Sequence, residues 1–269
     1  MVRLAFILLM LTIVAGDAQQ HRIRRVVRQT AAAGGGYTAN ATTFAGDGQC
    51  WMERDAGLTG AADGKSCTLS FWVDFSSGDN TVQRLLYSQT GRVRGAREGS
   101  DNKIRFLFVN PAGTALADFQ ATTTQVAAGG WYHVIISFDK SVETRRHLYV
   151  NGVESLTVLE FLSDDVDGNT DNVDFTENDW SLGALVDDGT APLVGCFSEF
   201  YLSMTYVDLS VEANRDIFYH ADGPPQDLSA VNSPIIYLKD PFGTFTVNSG
   251  SGGNFVKKGT TAFTECAAP

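Results

Sequence analysis

Residues 67–75, CTLSFWVDF, alternate without a break. Cys67, Leu69, Phe71, Val73 and Phe75 fall on one side of an extended chain, and Thr68, Ser70, Trp72 and Asp74 on the other. Successive side chains of a strand point to opposite faces, so this spacing belongs to a strand with one face in a core. A helix would scatter the same residues around its circumference. The pattern returns in Ile104, Phe106 and Phe108, in Tyr132, Val134, Ile136 and Phe138, in Leu148 and Val150, and in Cys196, Phe200 and Leu202. Further strands are expected near 83–89, 114–121, 180–185 and 234–239. Asn151-Gly152 supplies the positive φ angles of a two-residue hairpin turn. One stretch departs from this period. Residues 208–220 read as a short helix near 210–219, capped by Ser210, with Glu212 in its first turn and Val211, Ile217 and Phe218 as an apolar stripe. The Gly-Pro-Pro that follows would stop it. About a dozen short strands and one helix define an all-β fold, an antiparallel two-sheet sandwich.

Composition supports a large core: 43% of the residues are hydrophobic and 19% charged. Glycine (27) far outnumbers proline (7), as tight turns between strands require. The net charge is −11. Arg3, Arg22, Arg24, Arg25 and Arg28 all precede Thr30, against one acid, Asp17, so the remainder is more acidic still. Such a body repels phosphate backbones, which argues against nucleic acid as a partner.

The N-terminal residues 1–18 join one arginine, an apolar run from Leu4 to Val14 and small residues ending at Ala18, the layout of a cleaved secretory signal. The alternative is an arm that docks on a partner. The run is too short for a stable membrane span, which takes about 20 residues. Residues 19–36 form a basic, Gly-rich linker, and 37–269 form the folded body.

Four segments occur in order: TLSFWVDF, GWYHVIISFDK, HLYVNGV and GCFSEFYLS. Together they resemble the laminin-G-like, or concanavalin A-like, jelly-roll family over roughly 43–220, which implies a jelly-roll sandwich. In that family the Gly-x-Phe-x-Glu-Phe strand lies beside the Ser-Phe-Trp strand. A narrower likeness joins GGGYTANATTFAGDG, GLTGAADGK, YVDLSVEANR and YLKDPFGTFTVNSGSGGNF to phage and prophage virion proteins that carry this jelly roll. It implies a structural role in capsid decoration, a head fibre or a tail. The signal-like start departs from that group, because virion proteins assemble in the host cytoplasm.

Catalysis is not expected. The glucanases of the family use a Glu-x-Asp-x-x-Glu strand, and no such run occurs. Glu199 is a lone acid. The four histidines lack metal spacing, and His133 and His147 fall on outward positions where solvent is expected. No cofactor is expected, with calcium as the one ion considered: Asp165, Asp167, Asn169 and Asp171 alternate as early calcium-loop ligands do, although Thr170 and Thr176 replace the turn glycine and the bidentate glutamate of an EF-hand. Four cysteines, 50, 67, 196 and 266, allow three pairings. Cys67 and Cys196 sit on apolar faces and are read as free thiols.

A glycan surface is expected on the outward side of these strands. Trp72, Tyr149 and Tyr201 lie opposite the apolar parity of their strands, where sugar rings could stack, and Asp74 and Glu199 could accept hydroxyl hydrogen bonds. The surface exists only if at least two of these rings are exposed and within about 12 Å of each other; the short helix, a long loop or a neighbouring subunit would otherwise cover them. Two settings follow: a non-enzymatic virion protein with other virion proteins or a glycan as partner, or a secreted lectin-like protein. Self-association is left open.

Overall fold

The computed structural model describes Tyr37 and residues 39–219 and 225–269. The signal-like segment and the linker lie outside the described residues. The strands are β1 (Ala41–Ala45), β2 (Trp51–Arg54), β3 (Ser66–Phe75), β4 (Gln83–Ser88), β5 (Val93–Arg97), β6 (Ile104–Val109), β7 (Ala115–Ala121) and β8 (Trp131–Asp139). They continue as β9 (Arg146–Val150), β10 (Val153–Glu154), β11 (Leu156–Phe161), β12 (Trp180–Leu182), β13 (Val194–Ser203), β14 (Ile236–Leu238), β15 (Val256–Lys258) and β16 (Thr264–Cys266). They form two antiparallel sheets of eight. The first runs β10-β9-β8-β3-β13-β1-β16, with β14 also on β13; the second runs β11-β7-β6-β5-β4-β12-β2-β15. This is the expected all-β sandwich.

The expected inward faces fill the space between the sheets. Leu69, Phe71, Val73 and Phe75 of β3 meet Phe106 and Phe108 of β6 and Phe138 of β8 in one cluster. Asn151 and Gly152 have φ of 51° and 74° and turn β9 into β10. Gly195 is required for a second reason: a Cβ there would lie 1.9 Å from the carbonyl oxygen of Asp74 on the paired strand.

β13 breaks its own alternation. Its register against β3 shifts between Ser198 and Tyr201, and Glu199 has φ of 52°. The bulge puts Phe197, not Cys196, into the core with Phe200 and Leu202. Cys196 therefore does not share their face as its spacing implied, nor is it a free thiol. It is bonded to Cys266, 70 residues on, with the Cα atoms 6.4 Å apart. The reason is topological: β16 pairs with β1, and β1 pairs with β13, which brings the last strand beside Cys196. Cys50 and Cys67 are free and buried.

The expected helix shrinks to one turn, α1 (Glu212–Arg215). Its cap is Val211, without a side-chain hydrogen bond; Ser210 instead donates its hydroxyl to Asp208 Oδ1 at 2.6 Å. The competing local turn wins, as short polar side chains allow. The flanking chain packs flat on the outer face of the first sheet. Val207, Leu209, Phe218 and Leu228 join Ile135, Tyr149, Tyr201 and Tyr237 in a second apolar cluster.

Glu199 pins the bulge. Its two oxygens accept from the Tyr37 hydroxyl at 2.5 Å and the Tyr237 hydroxyl at 2.6 Å. Burial pushes its carboxyl from 4.5 up to about 7, against the hydrogen bonds from Tyr237 and Tyr37 that favour the charged form. Between those values the folded chain keeps a proton that the unfolded chain has lost. Stabilisation from this group is thus complete below pH 4.5 and disappears as the pH rises through about 7. Glu199→Gln removes that titration. Between about pH 5 and about pH 8 the variant should lose less unfolding free energy than the parent, measured by urea unfolding at each pH. Identical pH profiles would refute this account.

Candidate functional site

The structure keeps the proposed aromatic residues on one face but does not leave them exposed. Trp72 (8% exposed), Tyr149 (7%) and Tyr201 (0%) all lie on the outer face of the first sheet, beneath the chain that follows β13. The Trp72 ring is 5.0 Å from His133 and 5.7 Å from Tyr219. Arg215 lies 4.9 Å over Tyr149, and Phe218 lies 5.6 Å from Tyr201. The covering layer therefore replaces the expected glycan platform. Asp74 is only half-buried, but both oxygens of Glu199 are held by phenols, so Glu199 presents no free acceptor. The same layer corrects the two histidines. His133 is fully buried with Nε2 2.8 Å from Ser70 Oγ, and burial pushes it down to about 3, so it is neutral. His147 is buried against Tyr206.

The calcium-like loop is closed by the protein's own groups. Asp165 Oδ1 accepts from the Glu143 N–H, Asp167 Oδ2 from the Ser163 N–H, Asn169 Oδ1 from the Asp171 N–H, and Asp171 Oδ2 from the Asn110 amide. The side chains are directed to four separate partners, so they do not converge on one point. Lys140 Nζ donates to the carbonyls of Asn169 (3.1 Å) and Asp171 (3.2 Å), so an ammonium already occupies the position a cation would take.

An accessible cleft that gathers charged side chains lies on the other sheet. A cleft of about 230 Å³ opens on the outer face of β4, β5 and β6, lined by Arg84, Arg94, Ala96, Glu98, Arg105 and Leu107. Its layout follows from register. Ala96 pairs with Arg84 on one side and Arg105 on the other, so a methyl group forms the floor between two long cationic side chains. Arg94 on β5 and Glu98, the residue just past that strand, flank Ala96 two residues away on either side. A bulge between Arg84 and Leu86 brings Tyr87 onto that face as well, opposite Arg94. Beneath the floor, Gly95 is obligatory, since a Cβ would sit 2.1 Å from the Phe106 ring.

The three arginines differ in what they have left to offer. Arg105 is committed to Asp118 by two hydrogen bonds, through Nε (2.8 Å) and a terminal nitrogen, which hold its guanidinium above its ordinary value. The Arg84 guanidinium lies 5.5 Å over the Tyr87 ring, and its Nε is buried without a hydrogen-bond partner among the described residues. Burial lowers it from its ordinary value, and Glu98 opposes that shift. Planar guanidinium forks match carboxylate and sulfate geometry, and Tyr87 and Leu107 add apolar surface beside them. Sequence reasoning passed over this site because it weighed outward aromatics. The available signal was arginine at the outward position of three successive strands.

The two stacked antiparallel sheets define a β-sandwich of the jelly-roll class. Residues 54–204 match the concanavalin A-like lectin/glucanases superfamily, and the chain belongs to that family. No curated protein matches the chain in sequence. Among solved structures, a proposed carbohydrate-binding protein from Bacteroides ovatus superposes with TM-score 0.57 at 12% identity, over 86% of this chain and 61% of that one. The chain thus spans less than two thirds of that protein. The heptameric SAP-like pentraxin of Limulus polyphemus gives TM-score 0.46 at 13% identity, over 64% and 78% of the two chains. Domains LG4-5 of the mouse laminin alpha1 chain give 0.44 at 15%, over 67% and 46%. At these identities the likeness is one of fold.

Proposed function

We propose that this protein is a non-catalytic binding module for acidic glycans, with the sugar's carboxylate or sulfate over Ala96 between Arg84, Arg94 and Arg105. The observation that carries this reading is Arg84 Nε, a buried donor without a hydrogen-bond partner among the described residues, beside an open cleft in a chain of net charge −11. An anionic acceptor would complete it. Membership of a lectin-containing superfamily supports a sugar as the carrier of that anion. Binding rather than hydrolysis is supported by the lining, where Glu98 is the one carboxylate; glycosidases place two across the bond they cut.

The setting we favour is extracellular. The Cys196–Cys266 bond supports it, because disulfides persist in oxidising compartments. The second reading, a virion module, rests on the four phage-like segments. One of these, the Asn-x-Gly-x-Gly-Gly run, has a packing role: Asn248 donates to the carbonyls of Ile235 and Gly253 and accepts from the Tyr237 and Gly250 N–H groups.

A glycan array of sulfated, uronate-bearing and neutral oligosaccharides tests the site. Acidic members should bind, and Arg84→Ala should weaken them by about tenfold or more while its melting curve stays cooperative. Equal retention of neutral and acidic sugars, or equal binding by parent and variant, would remove the arginine cleft as the site.

A further inference from the structure

Where β2 lies against β12, three carboxylates from distant parts of the chain converge. Glu53 is in β2, Asp179 immediately precedes β12, and Asp187 follows it in the connection to β13. Their oxygens lie within 4.8 Å of one another, the only such His, Cys, Asp or Glu group among the described residues. Glu53 is fully buried, and Asp179 is 9% exposed. Glu53 Oε2 accepts from the Trp51 indole N–H at 2.9 Å and the Asp187 backbone N–H at 3.2 Å. Glu53 Oε1 and Asp179 Oδ1 have no hydrogen-bond partner among the described residues. The nearby cation is Lys258, whose Nζ is 3.9 Å from Glu53 Oε1 but 2.7 Å from Asp55, to which it is chiefly committed.

Two buried carboxylate oxygens left without a hydrogen bond are costly unless something neutralises them. Lys258 is too far from Glu53 to hydrogen-bond it. The donor set is oxygen only, which excludes the softer metals and suits a hard cation. Calcium accepts carboxylate oxygens and water in a flexible shell, whereas magnesium demands a near-ideal octahedron and gives up its own water reluctantly. We propose that Glu53, Asp179 and Asp187 form a calcium site that ties the β12–β13 connection to β2. The ion completes its shell with water on the side of Asp187, the exposed member. This site stands apart from the arginine cleft and does not rest on the glycan reading.

Chemistry fixes the pH dependence. Burial pushes Glu53 up to about 7 and raises Asp179. Calcium requires the deprotonated forms, so protons compete with it for these carboxylates. The rival arrangement is a carboxyl–carboxylate pair that shares a proton and takes no ion.

Trp51 provides a direct readout, since its indole N–H touches Glu53. Terbium added to the intact protein should show luminescence sensitised by tryptophan, displaced by calcium and absent in Glu53→Gln. Calcium chloride at about ten times its Kd should raise Tm by about 3–6 °C in the parent. The shift should vanish in Asp187→Asn, an exposed substitution that keeps the assay informative if Glu53→Gln does not fold. The proposal is overturned by no sensitised emission, by no Tm shift up to about 10 mM calcium, or by equal shifts in parent and Asp187→Asn. A Glu53→Gln protein that melts higher than the parent without any metal response would establish the proton-sharing pair instead.

Discussion

Phe71→Ala will lower the unfolding free energy by about 3–5 kcal/mol, measured by urea titration with the slope unchanged. Phe71 is fully buried at the centre of the sandwich. Its ring contacts Phe106 across the sheets at 6.0 Å, and Phe197 and Phe200 on the neighbouring strand at 5.7 Å each. Removing it forfeits the transfer energy of the ring and leaves a cavity that rigid strands cannot close. Phe138, packed 4.7 Å from Phe108 and 5.8 Å from Phe119, should respond in the same range. Losses under about 1 kcal/mol at both positions would mean that neither ring is in the core.

The second large effect concerns the disulfide. Cys196→Ser with Cys266→Ser releases a loop of 70 residues in the unfolded chain, worth about 4 kcal/mol in the chain-entropy account. The same loss should follow from reducing the parent protein, and reduction should leave the double variant unchanged. Equal stability of oxidised parent and variant would show that β16 contributes nothing to the cooperative unit.

Period-2 patterning revealed β3, β6, β8 and β9 because each turns aliphatic and phenylalanine side chains toward the opposite sheet, and the alternation is a direct record of that. It also placed Trp72, Tyr149 and Tyr201 on one outward face. It could not reveal what lies on top of that face. The covering chain around α1 has no sustained period, and its apolar residues are anchored singly by Asx turns and by Arg215. At β13 a single bulge reversed the phase, so Cys196 was assigned to the core and Phe197 was not. The arginine cleft was partly legible in the outward Arg84, Arg94 and Arg105, but the alanine floor and the position of Tyr87 depend on register and on a bulge. The cluster of Glu53, Asp179 and Asp187 leaves no mark in sequence spacing, since sheet topology alone assembles it.

The strand order has a consequence for how the chain is made. β1 and β2 emerge early in synthesis, yet every partner they have comes late: β1 pairs only with β13 and β16, and β2 only with β12 and β15. Thr42 must wait for Phe197, and Met52 for Leu182 and Lys257. Until then two strand-forming segments rich in apolar side chains remain unpaired, while β3 to β11 can already zip locally. Long-range closure of this kind slows folding and exposes edges to association. The nascent chain is therefore open to association until β12, β13, β15 and β16 have left the ribosome.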